Sequence, residues 1–233
     1  AAIGVPVPRV DWCCEDSSVL GSPFYAMERI EGEAIPRRLL RDDRYAKARQ
    51  GMAQELGAIL AKVHRIDPSA PALKGRLPRP PEGGATAVAE VRRIAEGCRA
   101  FAIEPHPVLE LAERWLYAHA PSPRPDGFVH GDYRVGNVMF DEQGTRAVLD
   151  WELAHVGDPT EDLGWFCVQA WRFGNDHLPA GGVGTREELV AAYEAAGGET
   201  VDRAAMHFWE VFGNFKLALV FITQARAYLD GAH

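Results

Sequence analysis

The sequence predicts an α+β fold, and three features indicate it: a mixed start, a β-hairpin near the middle, and helical segments around that hairpin. The 233 residues are enough for one large domain or two small ones. Hydrophobic residues make up 47% of the chain and charged residues 25%, which is ordinary for a globular protein. A chain of this size buries a core without needing cross-links.

Each element follows from a local pattern. Residues 7–12 and 24–30 are β-prone runs, and residues 68–84 form a connection rich in Pro and Gly. Residues 44–64 are predicted to be helical because Met52 and Leu56 belong to an apolar series with steps of three and four residues. The remaining predictions are a β-rich stretch at 128–150 and helices at 87–102, 107–119, 160–173, 186–197 and 202–229.

Charge and cysteine content exclude some classes of protein. The chain has 33 acidic against 25 basic residues, a net charge of −8, which argues against a nucleic-acid partner. No apolar run approaches the ~20 residues of a membrane span, and no signal peptide is visible. The four cysteines are interpreted as reduced thiols. We therefore expect a cytoplasmic protein without nucleic-acid or membrane partners; the oligomeric state stays open.

The β-rich stretch contains a predicted hairpin. Residues 138–140 and 147–149 are short β-prone runs, and residues 141–144 supply turn chemistry between them. Antiparallel pairing brings the start of the first strand beside the end of the second. Asn137 and Asp150 occupy these two ends, so we expect them to be neighbours in space.

These polar residues suit a hard cation and a reacting hydroxyl. The amide oxygen of Asn137 and the carboxylate of Asp150 are the oxygen ligands that Mg²⁺ prefers. Asp132 lies five residues before Asn137, on a loop tightened by Gly131 and Gly136, and can face the same cavity. Metal ligands and a carboxylate that orients a hydroxyl are the groups that phosphoryl transfer requires. The alternative is that these side chains merely cap turns.

The residues also carry a family resemblance. The pattern His-Gly-Asp-x-x-x-x-Asn at 130–137, followed by Asp-x-Glu at 150–152, resembles the aminoglycoside phosphotransferase and choline kinase group of protein-kinase-like enzymes. It is similar to the bacterial "phosphotransferase family" branch of that group. The likeness extends to segments 24–32, 60–67 and 157–164, so that it covers nearly the whole chain.

The resemblance implies a protein-kinase-like fold with a mostly helical C-terminal lobe that contains the catalytic hairpin. Residues 1–35 would be the inter-lobe hinge with a remnant of the N-terminal lobe, and residues 36–233 the helical C-terminal lobe. It also implies that the N-terminal lobe is largely missing, because the Gly-rich loop and strand lysine expected before residue 24 do not occur.

Site roles follow from the resemblance position by position. Asp132 would be the catalytic base or hydroxyl-orienting carboxylate, and Asn137 and Asp150 would ligate Mg²⁺. Backbone atoms of Glu28 and Ile30 would bind the adenine of ATP. The implied partner is a small-molecule hydroxyl substrate, which the sequence does not identify.

Other polar residues near the motif have competing interpretations. His130 could be a general base, since histidine titrates near neutral pH, but its counterpart in the family is structural, and we favour that role. Asp162 is expected to accept buried backbone N–H groups. Glu152 would share a side with Asp150 in an extended strand, and either senses the cation or fixes the loop. Arg134 is a weaker candidate for a phosphate contact.

The last predicted helix carries a second group of residues. Trp209, Phe212 and Lys216 fall at helical spacing, which favours a place in the core. Glu210 and Asn214 share one face of the same helix and are weaker candidates for contact with a substrate.

The sequence therefore favours an ATP- and Mg²⁺-dependent kinase acting on a small-molecule hydroxyl. The alternative is a nucleotide- or ligand-binding pseudokinase module without catalysis. A third and less favoured interpretation, metal-assisted hydrolysis without ATP, would use the same carboxylates.

Overall fold

The computed structural model describes residues 4–80 and 85–231. The strands are β1 (Val10–Cys14), β2 (Phe24–Met27), β3 (Gly127–Val129), β4 (Val138–Phe140), β5 (Thr145–Val148) and β6 (His155–Gly157). The helices are α1 (Ser17–Leu20), α2 (Pro36–Arg41), α3 (Ala46–His64), α4 (Thr86–Phe101), α5 (Pro107–Ala118), α6 (Thr160–Phe166), α7 (Arg186–Ala195) and α8 (Arg203–Leu229). Short 3₁₀ turns cover Asp43–Tyr45, Val135–Asn137 and Gln169–Arg172.

Three antiparallel strand pairs make up the β structure of the described residues: β1 with β2, β3 with β6, and β4 with β5. The β1–β2 pair is largely solvent-exposed, with Trp12 at 72% and Tyr25 at 63% exposure. The other two pairs lie against the core, where Val129, Phe140 and Val148 are fully buried. The β3–β6 and β4–β5 pairs therefore pack on buried hydrophobic residues, and this packing holds the loops at the ends of their strands in place.

Helix α3 is central to the larger hydrophobic core. Met52, Leu56 and Leu60 have 0% exposure on its buried face, in the apolar series that predicted the helix. The prediction of a helix at 44–64 is confirmed, except that its first turn is the 3₁₀ turn ending at Tyr45. Helix α7 packs along α3.

A second core cluster joins α4, α5 and α8. Trp209 and Phe212 of α8 are buried there, as their helical spacing predicted, and they pack against Val91, Ile94 and Leu116. Within the part of the chain described, α8 alone is long and apolar enough to cross a membrane (hydropathy 1.2, with 44% of that window buried). This is weak evidence for a membrane helix, because the core helix of a soluble protein passes the same test.

The helix predicted at 160–173 is wrong in its second half. Helix α6 ends at Phe166, and Val168 has extended backbone angles (φ −55°, ψ 137°) before the 3₁₀ turn. Its side chain is fully buried in a cluster with Trp165 and Leu217. Phe173 then has a φ of 50°, which a continuing helix cannot accommodate. Because the side chain of Val168 packs in this cluster, the chain leaves the helix there, and the last turns of the predicted helix do not form.

Candidate active site

The loop between β3 and β4 is anchored by one buried carboxylate. Asp162, at the start of α6, accepts the backbone N–H of His130 at 2.8 Å and that of Gly131 at 2.9 Å. His64 at the end of α3 contacts the same carboxylate at 3.1 Å. Burial alone would raise the pKa of Asp162, but the hydrogen bond and charge of His64 and the N–H of His130 hold that pKa below its ordinary value. Asp162 is thus the acceptor of buried N–H groups that the sequence suggested.

His130 is committed to the backbone through both ring nitrogens. Burial is the main cause that lowers its pKa, so the ring is neutral near pH 7. Its Nδ1 accepts the N–H of Asp132 at 3.3 Å, and its Nε2–H donates to the carbonyl of Leu149 at 3.1 Å. The ring therefore ties the loop to the end of β5, which agrees with a structural role and leaves neither nitrogen for a substrate proton.

Gly131 is required by the close approach of the following turn. Its φ is 82°, a region that side chains rarely adopt. A Cβ at this position would lie 2.3 Å from the carbonyl oxygen of Leu153. Position 131 therefore has no room for a side chain.

Asp132 is held by three donors, two from its own loop and one from α6. Its Oδ1 accepts the indole Nε1–H of Trp165 at 2.7 Å, and its Oδ2 accepts Nδ2 of Asn137 at 2.6 Å. Nε of Arg134 lies 3.0 and 3.1 Å from the two oxygens. The side chain of Asp132 retains 13% exposure, so the carboxylate is oriented but accessible.

Asn137 and Asp150 are neighbours, as the hairpin predicted. The N–H of Leu149, next to Asp150, donates to the carbonyl of Asn137 at 2.8 Å. The amide nitrogen of Asn137 is used by Asp132, so the side-chain oxygen is the atom left for a cation. Asp150 is exposed and has a φ of 63°. An amide oxygen and an accessible carboxylate fit a cation that takes its other ligands from water and phosphate.

Glu28 and Ile30 follow β2 in a segment without regular structure. The N–H of Glu28 donates to the carbonyl of Arg9 at 2.8 Å, so a contact of its backbone with a ligand would use the carbonyl oxygen. Ile30 is half-buried. The assignment of both residues to adenine binding stays a prediction, as do the roles of Asp132, Asn137 and Asp150.

Three other residues that the sequence suggested for contact with a cation or a substrate have different surroundings in the structure. Glu152 lies in a turn and not in an extended strand, so it does not share a side with Asp150 by strand alternation. Glu210 is buried and binds Arg172 at 2.7 Å and Arg186 at 2.6 Å. Asn214 donates to the carbonyl of Glu210 within its own helix at 2.8 Å. These contacts give the two α8 residues structural partners in place of a substrate.

Sequence reasoning missed two contributors to the site, Trp165 and Lys216. No local pattern marks Trp165, because its hydrogen bond to Asp132 depends on the packing of α6. Lys216 was assigned to the core by its spacing, yet its Nζ lies 3.1 Å from the carbonyl oxygen of Gly131. A lysine within the apolar α8 was the available signal, since buried lysines need partners.

A groove of about 620 Å³ lies beside this region, between α4 and α8. Glu152 and Leu153 bring its wall close to Asp150, and Lys216 contributes to the same wall. Apolar, basic and acidic side chains line it, among them Val220, Arg92 and Glu90. It offers space for a small molecule of mixed polarity.

The fold is protein-kinase-like. A model of the phosphotransferase enzyme family matches residues 1–209. The chain therefore belongs to the phosphotransferase enzyme family. The α+β class predicted from the order of its elements and the protein-kinase-like fold implied by the resemblance are confirmed.

Solved structures of similar fold agree with this assignment. A Ralstonia eutropha protein described as a candidate aminoglycoside phosphotransferase is 29% identical, with a TM-score of 0.80 over 99% of this chain and 71% of that chain. A choline/ethanolamine kinase family protein from Mesorhizobium loti is 20% identical, with a TM-score of 0.65 over 99% of this chain and 73% of that chain. The wild-type aminoglycoside 2'-phosphotransferase-IIIa, solved with GDP, is 14% identical, with a TM-score of 0.68 over 96% and 70%. The last two show similarity of fold alone.

Curated relatives have longer chains and different names. Acyl-CoA dehydrogenase family member 10 of Mus musculus is 32% identical over 176 residues, which cover 72% of this chain and 15% of the relative. Acyl-CoA dehydrogenase family member 11 of Homo sapiens is 28% identical over 227 residues, or 93% of this chain and 28% of the relative. The chain thus spans less than a third of the length of these relatives.

Proposed function

We propose that this protein moves the γ-phosphate of ATP to a hydroxyl group of a small molecule in a Mg²⁺-dependent reaction. The observation that carries the proposal is the carboxylate of Asp132, which Trp165, Asn137 and Arg134 orient on a loop anchored at Asp162. A fixed, accessible carboxylate is the group that a hydroxyl nucleophile needs.

Asp132 would bind and orient the acceptor. The acceptor oxygen forms a bond to the γ-phosphorus while the bridging bond to ADP breaks, and ADP leaves with the electron pair. The hydroxyl proton passes to the Asp132 carboxylate and then to solvent. Asn137 and Asp150 would hold Mg²⁺, which neutralises phosphate charge when bound.

Arg134 would contribute positive charge next to the transferred group. Its guanidinium lies 4.7 Å from the ring centre of Trp171, and its Nε contacts Asp132. A planar cation supported on an aromatic face is well suited to phosphate oxygens. We infer that Arg134 exchanges part of its contact with Asp132 for the incoming phosphate. The carbonyl of Glu28 and the backbone of Ile30 would hold adenine.

The acceptor class is open to direct test. The names of the relatives favour hydroxyacyl thioesters, because they are acyl-CoA dehydrogenase family members. The names of the structural neighbours favour aminoglycosides and amino alcohols. A panel should include all of these together with simple sugars.

The test measures ADP release and phosphorylated product, by coupled assay and mass spectrometry, with ATP and Mg²⁺ present. We expect product with at least one acceptor, no product without Mg²⁺, and none with Asp132→Ala. Full transfer by Asp132→Ala would contradict the role of this carboxylate. Mg²⁺-dependent ATP binding without consumption across the panel would favour the pseudokinase module. Phosphate ester hydrolysis without nucleotide would favour metal-assisted hydrolysis.

A further inference from the structure

Lys216 is a nearly buried lysine in the middle of an apolar helix. Its side chain is 12% exposed, and lysines are seldom buried unless their charge is paired. Its Nζ donates to the carbonyl of Gly131 and to Oε1 of Glu161, each at 3.1 Å. The same ammonium lies 4.8 Å from the ring centre of Trp165. Each of its partners is part of the candidate site or adjacent to it.

The positive charge of Lys216 is balanced by the carboxylate of Glu161, which also contacts His155. Glu161 is 2% exposed, and its Oε2 contacts Nε2 of His155 at 3.3 Å. Burial would raise the pKa of Glu161, but the charge of Lys216 and the bond from His155 hold that pKa below its ordinary value. Lys216 is therefore paired with a carboxylate ion and fixed in position.

Two links lead from Lys216 to Asp132. The first is the backbone: the carbonyl that Lys216 binds belongs to Gly131, the residue directly before Asp132. The second is the indole: Trp165, whose face the ammonium contacts, donates its Nε1–H to Oδ1 of Asp132 at 2.7 Å. Trp165 lies in α6 and Lys216 in α8, so both links support Asp132 from helices outside its own loop.

We propose that Lys216 is a positioning residue for phosphate transfer, which holds the Gly131 carbonyl and the Trp165 indole so that the Asp132 carboxylate keeps its orientation. This inference rests on the proposed function. Lys216 touches neither the reacting atoms nor the cation ligands. Its effect is on the rate of the chemical step, because an error of about 1 Å in the placement of a reacting group can reduce the rate by about 10²-fold.

The test compares Lys216→Met with Lys216→Arg. We expect Lys216→Met to lower kcat about a hundredfold and to leave the KM for ATP unchanged. Lys216→Arg, which keeps the charge and the donors, should restore most of the loss. Lys62→Met is the matched control, because Nζ of Lys62 also donates to a backbone carbonyl, that of Gly4, at 3.3 Å. It should retain wild-type kcat.

Removing the partner of a buried carboxylate can also unfold a protein. The double variant Lys216→Met/Glu161→Gln removes both charges and keeps the side-chain volumes similar. Its melting temperature and circular dichroism report whether it is folded. We expect the folded double variant to show the same loss of kcat as Lys216→Met.

A second measurement does not depend on turnover. The indole N–H signal of Trp165 in a ¹H–¹⁵N spectrum, assigned by its disappearance in Trp165→Phe, reports the hydrogen bond to Asp132. It should shift in Asp132→Ala and shift similarly in both Lys216→Met variants, but not in Lys62→Met.

The outcomes separate the two proposals. An unmoved indole signal in folded Lys216→Met variants refutes positioning, as does a shifted signal with unchanged kcat. A loss of kcat that only follows the folded fraction refutes it as well. If the wild-type protein phosphorylates no acceptor, the proposed function fails, and the indole signal alone then decides whether Lys216 positions Asp132.

Discussion

The pair formed by His155 and Glu161 makes stability depend on pH in a predictable way. Burial alone would lower the pKa of His155, but the bond and charge of Glu161 raise it from 6.5 to about 9. The folded state therefore binds this proton more tightly than the unfolded state. The stabilisation is complete below pH 6.5, and it is lost as the pH rises through about 9.

The size of the effect follows from the two pKa values. At 1.36 kcal/mol per pKa unit, the rise from 6.5 to about 9 corresponds to about 3 kcal/mol. Linkage gives about 3 kcal/mol at pH 6, about 1.4 kcal/mol at pH 8 and almost nothing at pH 10. For a chain of this size, 1 kcal/mol changes the melting temperature by about 2–4 °C. The side chain of His155 is only 17% exposed, so solvent screening is small.

The assay compares the wild type with His155→Gln, which keeps a donor but cannot be charged. Melting temperatures or denaturant midpoints are measured for both proteins from pH 6 to pH 10. All other charged groups are present in both proteins, so their contributions largely cancel in the difference. We expect the wild type to lose most of its advantage between pH 7 and pH 9. A difference that is constant over the whole range would refute the reasoning.

Three further predictions concern the site and its support. Asp150→Ala should remove the Mg²⁺ dependence of ATP binding, measured by calorimetry with and without the metal; equal Mg²⁺ dependence in the variant would contradict the ligand role. Trp165→Phe removes a hydrogen bond to the Asp132 carboxylate that is worth about 1.5–3 kcal/mol. The value of kcat should therefore fall about 10- to 100-fold with little change in KM, and an unchanged kcat would contradict the orienting role of Trp165. Gly164→Ala should destabilise the protein by about 1–3 kcal/mol in denaturant unfolding, because its Cβ would lie 2.5 Å from the carbonyl carbon and the Cβ of Trp209. Gly51→Ala is the control, since a Cβ there meets nothing within 4 Å, and equal effects of the two substitutions would contradict the packing argument.

The regular parts of the fold were predictable because their patterns are local. The apolar series containing Met52 and Leu56 predicted α3 to within two residues of its start. The central hairpin followed from two β-prone runs and the turn between them. The end of α6 was not predictable, since Val168 leaves the helix in order to fill a cluster with Leu217, which lies in a distant helix. Tertiary packing decides that boundary.

The candidate site divides in the same way. Asp132, Asn137 and Asp150 lie within one short segment, so their proximity could be inferred from the hairpin and their roles from the motif. Two residues that support this site come from elsewhere: Trp165 is 33 positions from Asp132, and Lys216 is 85 positions from Gly131. Such contacts depend on how α6 and α8 pack, which periodicity does not specify.

The anchoring carboxylate of Asp162 has a consequence for how the loop can move. It joins the N–H groups of His130 and Gly131 to His64, and so links the loop to two core helices. Opening the loop would strand a buried charge, so local fluctuations there are costly. The amide protons of His130 and Gly131 should therefore exchange with deuterium only through global unfolding, at the rate of the slowest core amides. The loop is built as part of the core, and its shape would then be the same whether or not a substrate is present.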